Sequence, residues 1–297
     1  MTLRLAIVGY GNLGKSLEKE IEKRADMTLA AIYSRRNLDN EKYRPLKTIG
    51  QTCDFDVALL ALGSYNEITE YAPLFERIDT VDSFDTHAKI AQYKAEINKT
   101  KKQNLSIIST GWDPGLLSLA RGVFSIGGGE NVTLWGEGVS QGHSNAIRSI
   151  RGVIDAVQFT RPKPNAEQYI MQGERNSSKL HDRICYVACV ESDKERVQQE
   201  IVTMPNYFAD YDTQVIFCSA QKVRELKKHT SHCGQVVCIG DGFVAKTDVK
   251  LDCNTDYTAK IMLDYAKTVP QLKADGYRGA LDVYDIPLRY LTDSKLI

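Results

Sequence analysis

The run Leu3-Arg4-Leu5-Ala6-Ile7-Val8-Gly9-Tyr10-Gly11-Asn12-Leu13-Gly14 decides the fold. Its first six residues form a short, mostly apolar segment, and Leu13, Leu17 and Ile21 then recur at helical spacing. Between them the glycines match G-x-G-x-x-G in the strand–turn–helix context that gives this pattern its meaning. Gly9 permits the tight turn, Gly11 lets a pyrophosphate approach the backbone, and Gly14 allows close helix packing. The helix N-terminus adds free N–H groups and a favourable dipole. Tyr10, Asn12 and Leu13 complete this candidate cofactor loop. A glycine turn without a ligand is the alternative.

Further apolar runs follow at Leu29 to Tyr33, Val57 to Leu62, Ile78 to Val81 and Leu105 to Ile108, with a helix expected from about His87 to Lys99. Strands alternating with helices imply an α/β, Rossmann-type, doubly wound parallel sheet. After Gly111 the texture changes. Glycine-rich segments at 127–129 and 136–138 interrupt the chain, and Ala245, Thr247, Val249 and Leu251 alternate with Lys246, Asp248, Lys250 and Asp252. Period-two alternation fits an antiparallel sheet with one wet face. The expected organisation is a dinucleotide-binding domain over 1–117, a second α+β domain over 118–252, and a segment of about 253–297 that returns to the first domain through a helix from about Thr255 to Val269.

The 297 residues, 42% of them hydrophobic, suffice for two cored domains. Thirty-eight basic and 38 acidic residues cancel, so no global field favours nucleic acid or an anionic membrane. No stretch approaches the roughly 20 apolar residues of a membrane span, and the start of the chain lacks a signal-peptide pattern; the expectation is a cytoplasmic protein. The seven cysteines are scattered, several within apolar runs, and read as free thiols. His229, His232 and Cys233 lie close in sequence, but no second ligand pair has zinc-like spacing, so no metal is expected.

The end of the second strand reads Ser34-Arg35-Arg36, where NAD-binding chains usually place an acidic residue. Two guanidinium groups and a hydroxyl suit a 2′-phosphate, which points to NADP; solvated loop arginines are the alternative. Gly63-Ser64-Tyr65-Asn66 follows the third strand at the carboxyl edge, where ligands of such folds bind, and is a candidate cofactor loop. Ser83-Phe84-Asp85 and Thr110-Gly111-Trp112-Asp113-Pro114 follow the fourth and fifth strands; both are candidate cofactor-binding segments, and each brings a carboxylate toward the nicotinamide side of the same edge. Asp85 could instead cap the next helix, and Asp113 could be an ordinary Asp-Pro turn.

The stretches 6–14, Ser34-Arg35-Arg36 and 109–115, with Ser140-Gln141-Gly142-His143-Ser144, Met204-Pro205 and Leu251-Asp252-Cys253-Asn254, resemble the NADP-dependent meso-diaminopimelate dehydrogenase family over nearly the whole chain. The resemblance implies reversible oxidative deamination at the D-centre of meso-2,6-diaminopimelate, giving L-2-amino-6-oxopimelate, ammonia and NADPH; the product cyclises to tetrahydrodipicolinate, a lysine and cell-wall precursor. It puts Asp85 and Asp113 at the D-centre as the catalytic carboxylates, Trp112 and Trp135 as apolar walls, and Gln141 and Gly142 as polar contacts. The distal L-centre falls to Thr160, Arg183, His232 and Asn254, with Arg183 the natural carboxylate partner. On residue type alone, these four could be a strand residue, a surface charge and two loop or cap residues. The family also implies a homodimer built by the second domain. Ser83-Phe84 stands where the family usually has Thr-Tyr, and the loop at 239–243 is shortened. The competing readings are a dehydrogenase for another amino acid or an aldehyde, and a non-catalytic NADPH sensor.

Overall fold

The computed structural model describes residues 2–51, 54–64, 67–101, 103–228 and 231–292. The chain divides into two compact units, Met1–Leu119 with Thr255–Ile297, and Ala120–Asn254.

In the first unit, β1 (Leu3–Val8), β2 (Met27–Ser34), β3 (Tyr43–Pro45), β4 (Val57–Leu60), β5 (Thr80–Asp82) and β6 (Leu105–Ile107) join the late strand Gly279–Leu281. The order is Gly279–Leu281, β6, β5, β4, β1, β2, β3, and every pairing is parallel. The continuous apolar character of β1 has a direct cause. Leu5 and Ile7 pack with Leu17 and Ile21 of the helix Asn12–Ile21 and with Met262 and Leu263 of the helix Asn254–Ala274. Ala6 and Val8 face the opposite layer, which includes Tyr93 and Ile97 of the helix Ile90–Thr100. A strand covered on both faces cannot afford alternation, and burying each leucine or isoleucine contributes about 1.5–3 kcal/mol.

Strand β1 lies between β2 and β4, so the chain reverses its direction of sheet growth there. Ligands of open α/β sheets bind outside the carboxyl ends at such a switch point.

Beneath β5, Lys101 is 5% exposed and donates to the Ile78 carbonyl at 2.6 Å and to Thr80 Oγ1 at 3.0 Å. Burial pushes its pKa down to about 7, against the attraction of Asp79 and Asp82 and with help from Lys273. Between pH 7 and the ordinary lysine value of about 10.4, the unfolded chain therefore binds more protons, and stability rises with pH. Below that window both states are protonated and the contribution is constant. Lys101→Met is expected to flatten the rise in Tm between about pH 7 and 10 by at least about 3 °C, since 1 kcal/mol moves Tm by roughly 2–4 °C at this size. Parallel pH–Tm curves for the two proteins would refute the assignment.

The second unit contains two sheets. The first comprises β8 (Gly138–Val139), β9 (Val153–Pro162), β10 (His181–Cys189) and β11 (Asp212–Phe217) in the order β11-β10-β9-β8, antiparallel except for β10 with β11. The second is antiparallel, with β7 (Glu130–Trp135), β12 (His232–Gly240) and β13 (Phe243–Leu251) in the order β13-β12-β7. Along β13 the residues alternate between exposed and more protected positions, as the sequence predicts. The shortened loop is a tight hairpin in which Gly240 pairs with Phe243, and Gly242 supplies a φ of +78°.

Several expectations are adjusted. β5 starts at Thr80, not Ile78, and β4 stops at Leu60. The segment His87–Lys89 is a 3-10 turn, and the α-helix begins at Ile90. The last long helix begins at Asn254 and continues through Pro270 to Ala274. The six described cysteines are free thiols, whereas Cys53 and His229 lie outside the described residues. No described helix is long and apolar enough to cross a membrane.

Candidate functional site

In the first unit the three glycines of the opening motif have distinct physical reasons. Gly9 has φ +94°, and a Cβ there would lie 2.5 Å from the Ala61 carbonyl oxygen at the end of β4. Gly14 lies so near that a Cβ would meet the Gly9 carbonyl oxygen at 2.2 Å. Gly11 differs: it has an ordinary φ of −88°, and a Cβ there would meet no atom within 4 Å. Nothing in the protein itself requires glycine at that position. It is the N-cap of the helix Asn12–Ile21, which has neither a side-chain cap nor an acidic residue in its first turn. Open space before uncapped helical amides fits a dinucleotide pyrophosphate.

Ser34 ends β2, and Arg35 and Arg36 follow it in a bend. The Ser34 hydroxyl accepts from the Arg36 amide at 3.1 Å, and Arg36 donates to the Tyr10 carbonyl at 2.9 Å, tying this corner to the glycine loop. Both arginines are exposed; Arg35 lies over the Tyr71 ring at 5.9 Å. Tyr10 donates to Glu18, a bond that pushes its phenol up to about 12. Exposed guanidinium groups beside the glycine loop suit the 2′-phosphate of NADP.

The loops after β4, β5 and β6 are tied together. Ser64 Oγ accepts from the Asp85 amide at 3.1 Å, while Gly63 O accepts from the Ile68 amide at 3.2 Å. Asp85 is exposed, and the 3-10 turn behind it has Thr86 as N-cap without a side-chain cap bond, so the capping alternative for Asp85 is not realised. Asp113 is half-buried, follows the buried Trp112, and precedes Pro114 in a tight turn in which the Gly111 amide donates to the Pro114 carbonyl at 2.9 Å. Two of the sequence-predicted cofactor residues are turned inward. Phe84 is 1% exposed and stacks on Tyr93 at 4.3 Å, because its place after β5 drops its ring into the core. Thr110 is fully buried, its hydroxyl donating to the Asp82 carbonyl at 2.8 Å. Ser83 is half-buried at the strand end. Tyr65 and Asn66 lie outside the described residues.

The second unit brings Thr160, Arg183 and His232 together. Thr160 on β9 stands opposite Arg183 on β10 and Gly138 on β8. A Cβ on Gly138 would sit 2.7 Å from the His232 ring, and His232 Nε2 is 2.7 Å from the Val139 carbonyl oxygen, which fixes Nε2 as the protonated nitrogen. Arg183 is 7% exposed, donates to Thr160 Oγ1, and lies over the Tyr211 ring at 4.1 Å. Its Nε has no hydrogen-bond partner, and among the described residues no carboxylate pairs with it. The neighbouring Asp182 serves Arg161 and Lys163 instead. Burial holds the Arg183 guanidinium below the usual arginine range, against the pull of Tyr211. A buried cation without an anion is costly, and its natural complement is a ligand carboxylate.

Around this clamp, Trp135 donates its amide to His181 Nε2 at 3.0 Å and tilts over that ring at 5.4 Å. Gln141 and Gly142 open the helix Gln141–Arg148 and are exposed; Gly142, like Gly11, faces open space. Asn254 is half-buried at the start of its helix. His143 shares a 2.7 Å hydrogen bond with Ser140 and packs edge-on to Phe208; burial, then Arg183, push its pKa down to about 3, so it stays neutral at physiological pH.

Sequence reasoning missed Tyr211, Gln158, His181 and Asp82. Gln158, whose side-chain amide lies 3.3 Å from Thr160 Oγ1, carried a signal, standing between the apolar Val157 and Phe159; Asp82, which closes β5 after Thr80 and Val81, did not. Tyr211 carried none, because its link to Arg183 depends on the β10–β11 pairing.

A Rossmann-type sheet with a glycine loop at its switch point, and a second unit holding an unneutralised arginine, defines the class of dinucleotide-dependent oxidoreductases. Residues 111–256 match the profile of the diaminopimelic acid dehydrogenase C-terminal domain. The meso-diaminopimelate D-dehydrogenase of Acetivibrio thermocellus is 38% identical, over 98% of this chain and 94% of that protein. The structure of a C. glutamicum DAP dehydrogenase in complex with DAP superposes with a TM-score of 0.91 at 37% identity, covering 100% of this chain and 98% of that one. An engineered D-amino acid dehydrogenase bound to NADP+ gives 0.88 at 35% identity, with 100% and 98% coverage. The chain belongs to the meso-diaminopimelate D-dehydrogenase family.

Proposed function

We propose that this protein catalyses the reversible NADP-dependent oxidative deamination of meso-2,6-diaminopimelate at its D-centre, giving L-2-amino-6-oxopimelate, ammonia and NADPH, on the route to lysine and cell-wall precursors. The observation that carries the substrate class is the buried Arg183, whose partners are the Thr160 hydroxyl and the Tyr211 face, with no described carboxylate. A substrate with a carboxylate at each end supplies the missing anion.

Bound NADP supplies the hydride acceptor. The exposed Gly11 and the amides of Asn12, Leu13 and Gly14 would hold its pyrophosphate, and Arg35 and Arg36 its 2′-phosphate. Asp85 and Asp113 hold the ammonium of the D-centre and orient its Cα–H, with Trp112 and Trp135 as apolar walls and Gln141 and Gly142 as polar contacts. As the hydride leaves Cα, the deprotonated amine nitrogen donates its lone pair to form the protonated imine, which water hydrolyses to the carbonyl and ammonium. Asp113 assists loss of the ammonium proton, in an acid–base or purely electrostatic role. Arg183, Thr160, His232 and Asn254 hold the distal L-centre, so both ends of the substrate are fixed; placement of this kind is itself catalytic. The same family reading makes the protein a cytoplasmic homodimer assembled through its second unit, for which a solution mass twice that of the chain is the test.

The decisive assay follows NADPH absorbance at mildly alkaline pH with meso-diaminopimelate and NADP, with NAD and the LL-isomer in parallel. NADPH is expected from the meso compound alone. Tight NADPH binding without reduction by any isomer would remove the dehydrogenase assignment.

A further inference from the structure

Asp82, the last residue of β5, is fully buried and is absent from the roles assigned above. Its Oδ1 accepts from the Phe84 amide at 2.9 Å and from the Ser109 amide at 3.0 Å, while its Oδ2 accepts from the Tyr93 hydroxyl at 2.8 Å. Its main-chain carbonyl accepts from both the amide and the hydroxyl of Thr110, at 2.9 and 2.8 Å. One residue thus closes the start of the loop carrying Asp85 and the start of the loop carrying Trp112 and Asp113. Ser109 adopts φ +58°, a conformation that a non-glycine residue keeps only when its surroundings impose it. Tyr93, the third donor, also stacks on Phe84, so the same bracket is fixed from the helix side. Burial raises the Asp82 pKa, and the three donors oppose that rise.

We propose that Asp82 is a positioning residue for the reaction, setting the relative placement of the Asp85 and Asp113 loops through the two amides shared on Oδ1. This rests on the function proposed above. Stability alone asks only that the buried amides have an acceptor. Positioning asks also that the acceptor stand at one distance from the strand.

Two substitutions separate these demands. Asp82→Asn keeps Oδ1 in place, and the Tyr93 hydroxyl can turn to accept from the new amide. Asp82→Glu keeps the carboxylate but moves it by one methylene. The expected result is that Asp82→Asn retains kcat for meso-diaminopimelate within about threefold, whereas Asp82→Glu loses about 10²-fold, the order that a 1 Å misplacement costs. In both, the Kd for NADP should stay within about threefold. With Cα-deuterated substrate, the isotope effect on kcat should grow in Asp82→Glu, because hydride transfer becomes slower; a merely structural defect would lower the folded fraction and leave that ratio unchanged. If Asp82→Glu does not fold, Tyr93→Phe replaces it: it frees the Oδ2 side of the bracket but keeps the ring on Phe84, and it should lower kcat about tenfold with NADP affinity intact. Wild-type kcat in Asp82→Glu, or in Tyr93→Phe where that variant stands in, overturns the proposal, and so does equal loss in the Asn and Glu variants. If the wild-type protein itself does not oxidise meso-diaminopimelate, the function reading fails instead, which separates the two failures.

Discussion

Arg183→Met is expected to lower kcat/KM for meso-diaminopimelate by about 10²–10³-fold while leaving the Kd for NADP unchanged. The size follows from the setting of the guanidinium. Arg183 lies on β10, in phase with the buried His181, Cys185 and Val187, so its side chain enters the interior. There it has a hydroxyl and an aromatic face but no described carboxylate, and its Nε has no partner. Losing one member of a desolvated charge pair costs about 2–5 kcal/mol, and about 3–4 kcal/mol corresponds to the stated factor. Methionine is apolar and similar in length, so removing an uncompensated buried cation should leave Tm equal or higher. The loss should also depend on substrate. A D-amino acid without a distal carboxylate never uses the clamp, and the variant should treat it as the wild type does. Steady-state kinetics on both substrates, with NADP titrated by fluorescence, decide the matter. Parallel losses in substrate turnover and cofactor affinity would show that Arg183 supports the fold and not the substrate.

The sequence reading of Arg183 shows where local patterns stop. Nothing in Asp182-Arg183-Ile184 separates a buried cation from a solvated one; the phase of the flanking Cys185 and Val187 does, once β10 is known to have one inward face. By contrast, the opening strand and glycine loop were legible because their demands are local. A strand covered on both faces must be apolar throughout, and Gly9 needs its φ of +94° whatever surrounds it. The late strand Gly279–Leu281 and the edge strand β3 left no signal, since three residues hold too little periodicity to read. Phe84 shows a further limit, because the burial of its ring is not legible locally. It follows a strand end at the ligand edge, as a cofactor residue would, but its ring finds Tyr93 nine residues on, a contact that only the return of the helix Ile90–Thr100 creates. Asp82 was overlooked because a carboxylate that closes a strand resembles any loop residue until its amide partners from two loops are seen.

Gly11→Ala should separate cofactor binding from folding. The added Cβ meets no protein atom within 4 Å, and the backbone at φ −88° suits any L-residue. The folding cost is then limited to the weaker N-cap, about 1 kcal/mol or less, so Tm without nucleotide should fall by no more than about 3 °C. The methyl group would project into the open space where the pyrophosphate approaches the backbone. Affinity for NADP should fall by about 10²-fold, or about 2.7 kcal/mol. Ligand-linked stabilisation follows the ratio of ligand to Kd, so a concentration of NADP about 100 times the wild-type Kd should raise the wild-type Tm by roughly 5–10 °C and the variant Tm by about 1–2 °C. Gly14→Ala is the control with the opposite physics. Its Cβ would lie 2.2 Å from the Gly9 carbonyl oxygen, so it must displace the loop, and both Tm and NADP affinity should drop together. If Gly11→Ala binds NADP within about threefold of the wild type, the pyrophosphate does not cross that backbone, and the absence of a side chain at Gly11 needs another cause.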